Sequence, residues 1–232
     1  NVPAGSDLAH AFSCLDFEES ANMFGRIGGF SYLKALVDKL RSERPGAILL
    51  DGGDTWQGSA TALWSRGQDM VDACLLLGVD VMTAHWEMTL GAERVQDIVT
   101  NDFSGKIDFL AQNVKTFDFD DPVFDSFTIK EMNGVPIAVI GQAFPYTPIA
   151  NPSHLIPDWS FGIREYELQQ LVNRIRKQGI KVVVLLSHNG MDVDLKLASR
   201  VTGLDAILGG HTHDGMPVPV IITVYSDRSF TF

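Results

Sequence analysis

The sequence is short of positive charge, of cysteine and of long apolar runs, and each shortage excludes something. Eighteen Lys and Arg stand against 29 Asp and Glu, a formal net charge of -11. A nucleic-acid partner would need a basic footprint facing its phosphates, so that class of partner is excluded. No stretch approaches the roughly 20 apolar residues that span a bilayer, and no membrane association is expected. The two cysteines, Cys14 and Cys74, sit in neither a CxxC nor another metal-ligand spacing. They read as small core or surface residues and leave the redox compartment open. Low-complexity tracts, Gly/Ser linkers and internal repeats are missing too, so one large domain with a substantial core is the simplest division of 232 residues. The chain opens at Asn1 without an initiator Met or leader and ends on "VYSDRSFTF", which reads as part of a longer protein.

What the sequence does contain is alternation. "AILL" (47–50), "VDVMT" (79–83), "IDFLA" (107–111), "VVVLLS" (182–187) and "DAILG" (205–209) are short, nearly continuous apolar runs, as strands covered on both faces must be. Helical patterns fall between them at 30–44, 68–78, 91–100, 165–179 and 192–201, with Gly78 and Gly179 where C-caps are expected. "FTIKEMNGVPIAVIG" (127–141) reads as two strands joined by an Asn133-Gly134 turn. The segment 143–159, with four prolines, is expected to be a long irregular loop. Together these patterns predict an α/β fold with a mixed sheet or a pair of sheets.

The polar residues choose their places. "LLDGGDTWQG", "TAHWE", "LLSHNG" and "LGGHTHDG" each follow a predicted strand. In open α/β sheets the carboxyl ends of strands form the binding crevice, so four such turns can converge. Asp54, His85, His188, His211 and His213 in these turns have metal-ligand chemistry. Four of the six histidines stand directly after apolar strands, whereas His10 and His154 lie in irregular segments and read as surface residues. His85 alone could be a ligand, a base or a buried ring; the constellation favours the ligand. Alternate residues of an extended segment lean the same way, so His211 and His213 suit neighbouring metals, and the two oxygens of Asp54 can bridge a pair of cations. Asp51 reads instead as a local hydrogen-bonding residue. "DGGDTWQG" lacks the Lys and Ser/Thr of a phosphate-binding P-loop.

Asp54 in "GGDTWQG", His188 after its strand and "GGHTH" resemble motifs of the calcineurin-like metallophosphoesterases, in their 5'-nucleotidase branch. Members commonly carry Gly-Asn-His-Glu where this chain reads "TAHWE". With Glu87 and Gly91 as anchors, His85 falls on the metal-binding Asn and Trp86 on the catalytic His. That double departure, with "LLDGGDTWQGSATALW", "GQAFPYTPIANP" and "LLSHNGMDVDLKLA", resembles the SoxB family of thiosulfohydrolases over nearly the whole chain.

The resemblance implies a four-layer α/β sandwich of two mixed sheets flanked by helices. It implies two divalent metal ions, of the manganese type, in a periplasmic enzyme that releases sulfate from a cysteine-linked thiosulfonate on the SoxYZ carrier protein. Position by position, Asp54, His85, His188 and His211 would hold one ion, and Asp54 with His213 the other. Trp86 would shape the pocket in place of a general acid. The family's Asp-x-His for the other ion and its C-terminal substrate domain have no counterpart here. Residues 1–232 are therefore expected to form a catalytic domain incomplete at both ends and inactive by itself. A 5'-nucleotidase or nucleotide-sugar phosphohydrolase is the alternative enzyme, and a metal- or carrier-binding module without turnover is the alternative outside enzymes.

Leaving-group chemistry makes Trp86 intelligible. Phosphate-ester hydrolysis expels an alkoxide, which a proton donor helps greatly. Attack on a sulfonyl sulfur expels a sulfur anion, and thiols ionise near about 8.5, so a donor matters far less.

Overall fold

The computed structural model describes residues 19, 22–23, 29–214 and 218–222; Cys14 and His10 lie outside them. Two sheets form the centre. In the first, β1 (Leu50–Asp51), β2 (Val81–Met82) and β3 (Asp108–Phe109) run parallel in that order. The second has the order β5 (Phe127–Met132), β6 (Val135–Gln142), β8 (Val182–Ser187) and β9 (Ala206–Gly209), antiparallel at its first pair and parallel after it. A small antiparallel pair joins β4 (Lys115–Thr116) to β7 (Trp159–Ser160).

Alternation along each strand sorts the core into layers, because successive side chains point to opposite faces. Val81, Leu110, Val139 and Leu186 pack together between the two sheets, with Ile48, Leu50 and Ile137 beside them. The other face of the first sheet, with Met82 and Phe109, meets Val37 of α1 (Phe30–Glu43) and Val71, Cys74 and Leu77 of α3 (Gln68–Leu77). The outer face of the second sheet, with Ala138, Ile140, Val183 and Leu185, meets α6 (Glu165–Lys177) and α7 (Met191–Arg200). Helix, sheet, sheet, helix is the four-layer arrangement that the apolar runs require. The mixed character belongs to the second sheet; the described strands of the first are all parallel.

The connections follow from local chemistry. Asn133 and Gly134 both adopt positive φ (52° and 79°), as the two-residue turn between β5 and β6 demands. Gly78 caps α3 in the left-handed conformation, and Cys74 inside that helix is a buried free thiol. Gly141 has no alternative: a Cβ there would lie 2.2 Å from the carbonyl oxygen of Leu110, where the two sheets close on each other.

Three expectations need correction. Strands β1 to β3 are two residues each, shorter than the apolar runs, although flanking bonds such as Asp80 N–H to Leu49 O (2.9 Å) and Leu110 N–H to Met82 O (2.8 Å) extend the ladder. A short helix, α2 (Ala60–Ser65), was not expected; Ser59 caps it by accepting from the amide of Ala62 at 3.1 Å, whereas α4 (Ala92–Asp97) falls within an expected helix. The proline-rich segment 143–159 is ordered rather than irregular. It holds α5 (Thr147–Ala150), with Pro148 in its first turn where a missing N–H costs nothing, then a 3-10 turn (Ser153–Leu155), and it ends in β7. Buried Thr147, Asn151, Ile156 and Trp159 tie the segment to the core, while His154 is exposed.

Candidate metal centre

The loops after β1, β2 and β8 and the turn after β9 meet at the carboxyl edge of both sheets. Asp54, His85, His188 and His211 each offer a donor atom there, all within 4.8 Å of one another. The three imidazoles form a near-equilateral triangle, with ring centroids 4.9, 5.1 and 5.3 Å apart. Asp54 sits among them: Oδ1 lies 2.9 Å from His85 Nδ1, and Oδ2 lies 3.0 Å from His188 Nε2.

The loops are shaped to make this possible. Asp54 occupies the left-handed region (φ 67°), as do His211 (φ 79°) and His213 (φ 56°). Such conformations are costly for side-chain-bearing residues other than Asn and Asp, and they concentrate at ligand sites. Beneath Asp54, Gly53 (φ 96°) lies against Ala84, whose Cα would sit 2.9 Å from a Cβ at that position. Just past Asp54, Trp56 is fully buried and meets Phe103 edge to face at 5.1 Å, which fastens the loop to the core.

Charge is arranged around the carboxylate. Burial pushes the Asp54 carboxyl up, but hydrogen bonds from His188 and His85 outweigh it and hold the group well below the usual carboxylate range. Burial disfavours charge on His188, yet Asp54 and the Gly52 carbonyl raise its pKa overall. His211 is lowered, first by burial and then by the charges of His188 and His85. His188 Nδ1 stands 2.6 Å from the Gly52 carbonyl oxygen, which can only accept, so Nδ1 carries a proton and Nε2 faces Asp54.

This arrangement fits a divalent cation. His85 Nε2 and His211 Nδ1 are buried without a hydrogen-bond partner among the described residues, which is costly unless something else takes the lone pairs. A cation in the triangle would take those lone pairs, with His188 Nε2 and Asp54 completing its donor set. The Gly52 contact is the usual way a ligating imidazole is oriented by its other nitrogen. Nitrogen and carboxylate donors together suit manganese, zinc or iron.

Of the residues singled out in the sequence, Asp54, His85, His188 and His211 come together, and His213 stands apart from them. Its side chain is 81% exposed, with Nε2 4.0 Å from Asp54 Oδ2. Trp86 is 39% exposed at the mouth rather than in the core; its ring centroid lies 5.4 Å from that of His85, and its amide donates to Asp54 Oδ1 at 3.3 Å. Asp51 stays local, accepting from the Gly53 amide and the Thr55 hydroxyl at 2.9 Å each. Two contributors had been given no role by the sequence. Phe144, two residues past the end of β6, stacks on His211 (4.1 Å, 26°) and packs on His85 (4.2 Å). Glu87, buried on the floor of the site, accepts three main-chain amides. Their signal was position: an aromatic after a strand end in "GQAF", and an acid two residues past a candidate ligand.

Comparisons with known proteins agree with this geometry. No protein-family model matches the sequence. The 5'-nucleotidase of Rattus norvegicus is 27% identical over 194 residues, 81% of this chain and 33% of the relative. Among solved structures, the sulfate thiohydrolase SoxB of Thermus thermophilus is 40% identical with a TM-score of 0.87, covering 94% of this chain and 40% of that one. The calcineurin-like phosphoesterase YfkN of Bacillus subtilis shares the fold (TM-score 0.72, 18% identity), covering 82% of this chain and 66% of that one. The chain thus spans about a third of the curated relative and two fifths of the SoxB structure. These similarities support a place for the chain in the SoxB-like 5'-nucleotidase branch of the metallophosphoesterases, a family that uses divalent metals.

Proposed function

We propose that this chain is the catalytic domain of a periplasmic thiosulfohydrolase that releases sulfate from a cysteine-S-thiosulfonate on the SoxYZ carrier protein. The observation that carries the reading is Trp86: an indole, which cannot supply a proton, stands at the open mouth of the cluster beside His85. The 40% identity to SoxB supports it. Asp54, His85, His188 and His211 would hold one cation, and Asp54 with His213 would hold a second. Manganese suits both. When bound, two such cations supply a hydroxide at neutral pH and neutralise charge on the substrate oxygens.

The chain's own residues do the rest. Asp54, kept ionised, places one oxygen toward His85 and the other toward His188. Phe144 holds the His211 ring in place from behind. Trp86 presents a flat apolar face to the polarisable sulfur chain. In the reaction the water oxygen bonds to the sulfonate sulfur and the sulfur–sulfur bond breaks. The electron pair leaves with the carrier's sulfur as a persulfide anion, and the protons pass to solvent. Because that leaving group is a weak base, no proton donor is required beside it.

The curated relatives favour a second reading, hydrolysis of nucleoside 5'-monophosphates. One experiment separates the two. Full-length protein is incubated either with thiosulfonate-loaded carrier, followed by intact-mass spectrometry, or with adenosine monophosphate, followed by phosphate release. Loss of sulfate from the carrier with little phosphate release is expected. Efficient phosphate release with an unchanged carrier mass would replace this reading with the nucleotidase, and silence in both arms would leave a binding module.

A further inference from the structure

Glu87 is a carboxylate with no role in the chemistry so far described, and its surroundings are unusual. It is fully buried, a location that strongly disfavours a charged group unless hydrogen bonds compensate. Three main-chain amides do so. Oε1 accepts from Thr55 at 2.5 Å and from Trp56 at 3.3 Å; Oε2 accepts from His85 at 2.7 Å. Two of these donors follow Asp54 directly, and the third belongs to His85 itself. One side chain therefore ties the loop after β1 to the loop after β2, across about thirty residues of sequence. The loop after β1 is bent against preference here, with Asp54 left-handed, and Gly53 is pressed on Ala84 of the loop after β2.

We propose that Glu87 is a positioning residue of the metal centre: by latching these two loops, its carboxylate sets the separation of the Asp54 oxygens and the His85 nitrogens, and with it the affinity and geometry of the bound cation. This rests on the metal-centre reading above. Opposite ends of one rigid carboxylate hold opposite loops, so freeing either end lets Asp54 and His85 drift apart. Charge-assisted bonds to main-chain amides are among the stronger hydrogen bonds a protein makes, which suits a latch.

The test uses cobalt(II) as the probe, because its visible absorption reports coordination geometry as well as occupancy. Full-length wild type, Glu87→Gln and Glu87→Asp are titrated with cobalt under conditions where thermal melts show each folded. Glutamine keeps the shape but turns an NH2 toward amide donors at one end; aspartate keeps the charge but is too short to reach both loops. A fall in cobalt affinity of about 10–100-fold is expected for Glu87→Gln, with an altered spectrum and a smaller fall for Glu87→Asp. A folded Glu87→Gln variant with wild-type affinity and spectrum would overturn the proposal while leaving the metal centre standing. Wild type that takes up no cobalt would instead defeat the metal centre itself. Hydrogen exchange on the wild type covers the case in which neither variant folds. The amides of Thr55, Trp56 and His85 are expected to exchange together, as donors to one latch, and widely different rates for them would overturn the proposal.

Discussion

The two halves of the centre are built differently. His85 and His188 have side chains only 3% and 2% exposed, and each is held from behind, one through its amide by Glu87 and the other through Nδ1 by the Gly52 carbonyl. The turn after β9 is looser. His211 leans on Phe144, and His213, two residues on, is 81% exposed and 4.0 Å from Asp54. The buried half is pre-organised, so little ordering remains to be paid for when a cation arrives; beyond His211, the exposed half offers only the His213 ring and a shared oxygen of Asp54. If two cations bind as proposed, that contrast predicts unequal affinities for them.

The sharpest way to break the contrast is to remove what both halves share. Asp54→Asn takes away the charge that faces His85 and His188, and manganese affinity is expected to fall by more than the ~10–100-fold typical of residues that merely support a ligand. Calorimetric titration checks it, and an unchanged affinity would show that Asp54 is not a ligand. Next in size is Trp86→His in the full-length protein. A proton donor beside an alkoxide leaving group is worth about 10²–10⁴-fold, so turnover of nitrophenyl phosphate is expected to rise while sulfate release falls. Both rates unchanged in a folded variant would place Trp86 away from the chemistry.

A smaller effect concerns stability and pH. Asp51 is pushed up to about 6, first by burial and then by the nearby charge of Glu87, against hydrogen bonds from Gly53 and Thr55 that favour its ionised form. Its folded pKa lies above the unfolded value of about 3.9, so the folded state binds the proton more tightly, and stability is lost as pH rises from about 4 through 6. Asp51→Asn keeps an oxygen for the Gly53 amide and is expected to flatten that slope in denaturant melts at pH 4.5 and 7 with chelator present. Parallel profiles for variant and wild type would contradict it. Smallest of all is His213→Ala, which is expected to leave the tightly held cation within about twofold, since exposed substitutions rarely shift energies further. A large loss of that cation would mean that His213 swings inward on binding.

The contrast also explains what was legible in the sequence. Strands covered on both faces declare themselves, and the residue types directly after them were visible as candidate ligands: Asp54, His85, His188 and His211 meet as their positions suggested. The latch and the support were not legible. Glu87 acts through main-chain amides, which carry no residue signature, and Phe144 reaches the imidazoles only because β6 lies beside β8 in the second sheet. Proline misled in 143–159, because Pro148 in the first turn of α5 starts a helix rather than preventing one. The short helix after Ser59 was hidden by its length.

The most direct test of the central claim is the cation content of the 232-residue chain after equilibration with manganese and dialysis, read by elemental mass spectrometry. One tightly held ion per chain is predicted, in the triangle of His85, His188 and His211 with Asp54. No retained ion would contradict the centre, and two would contradict the inequality of its halves.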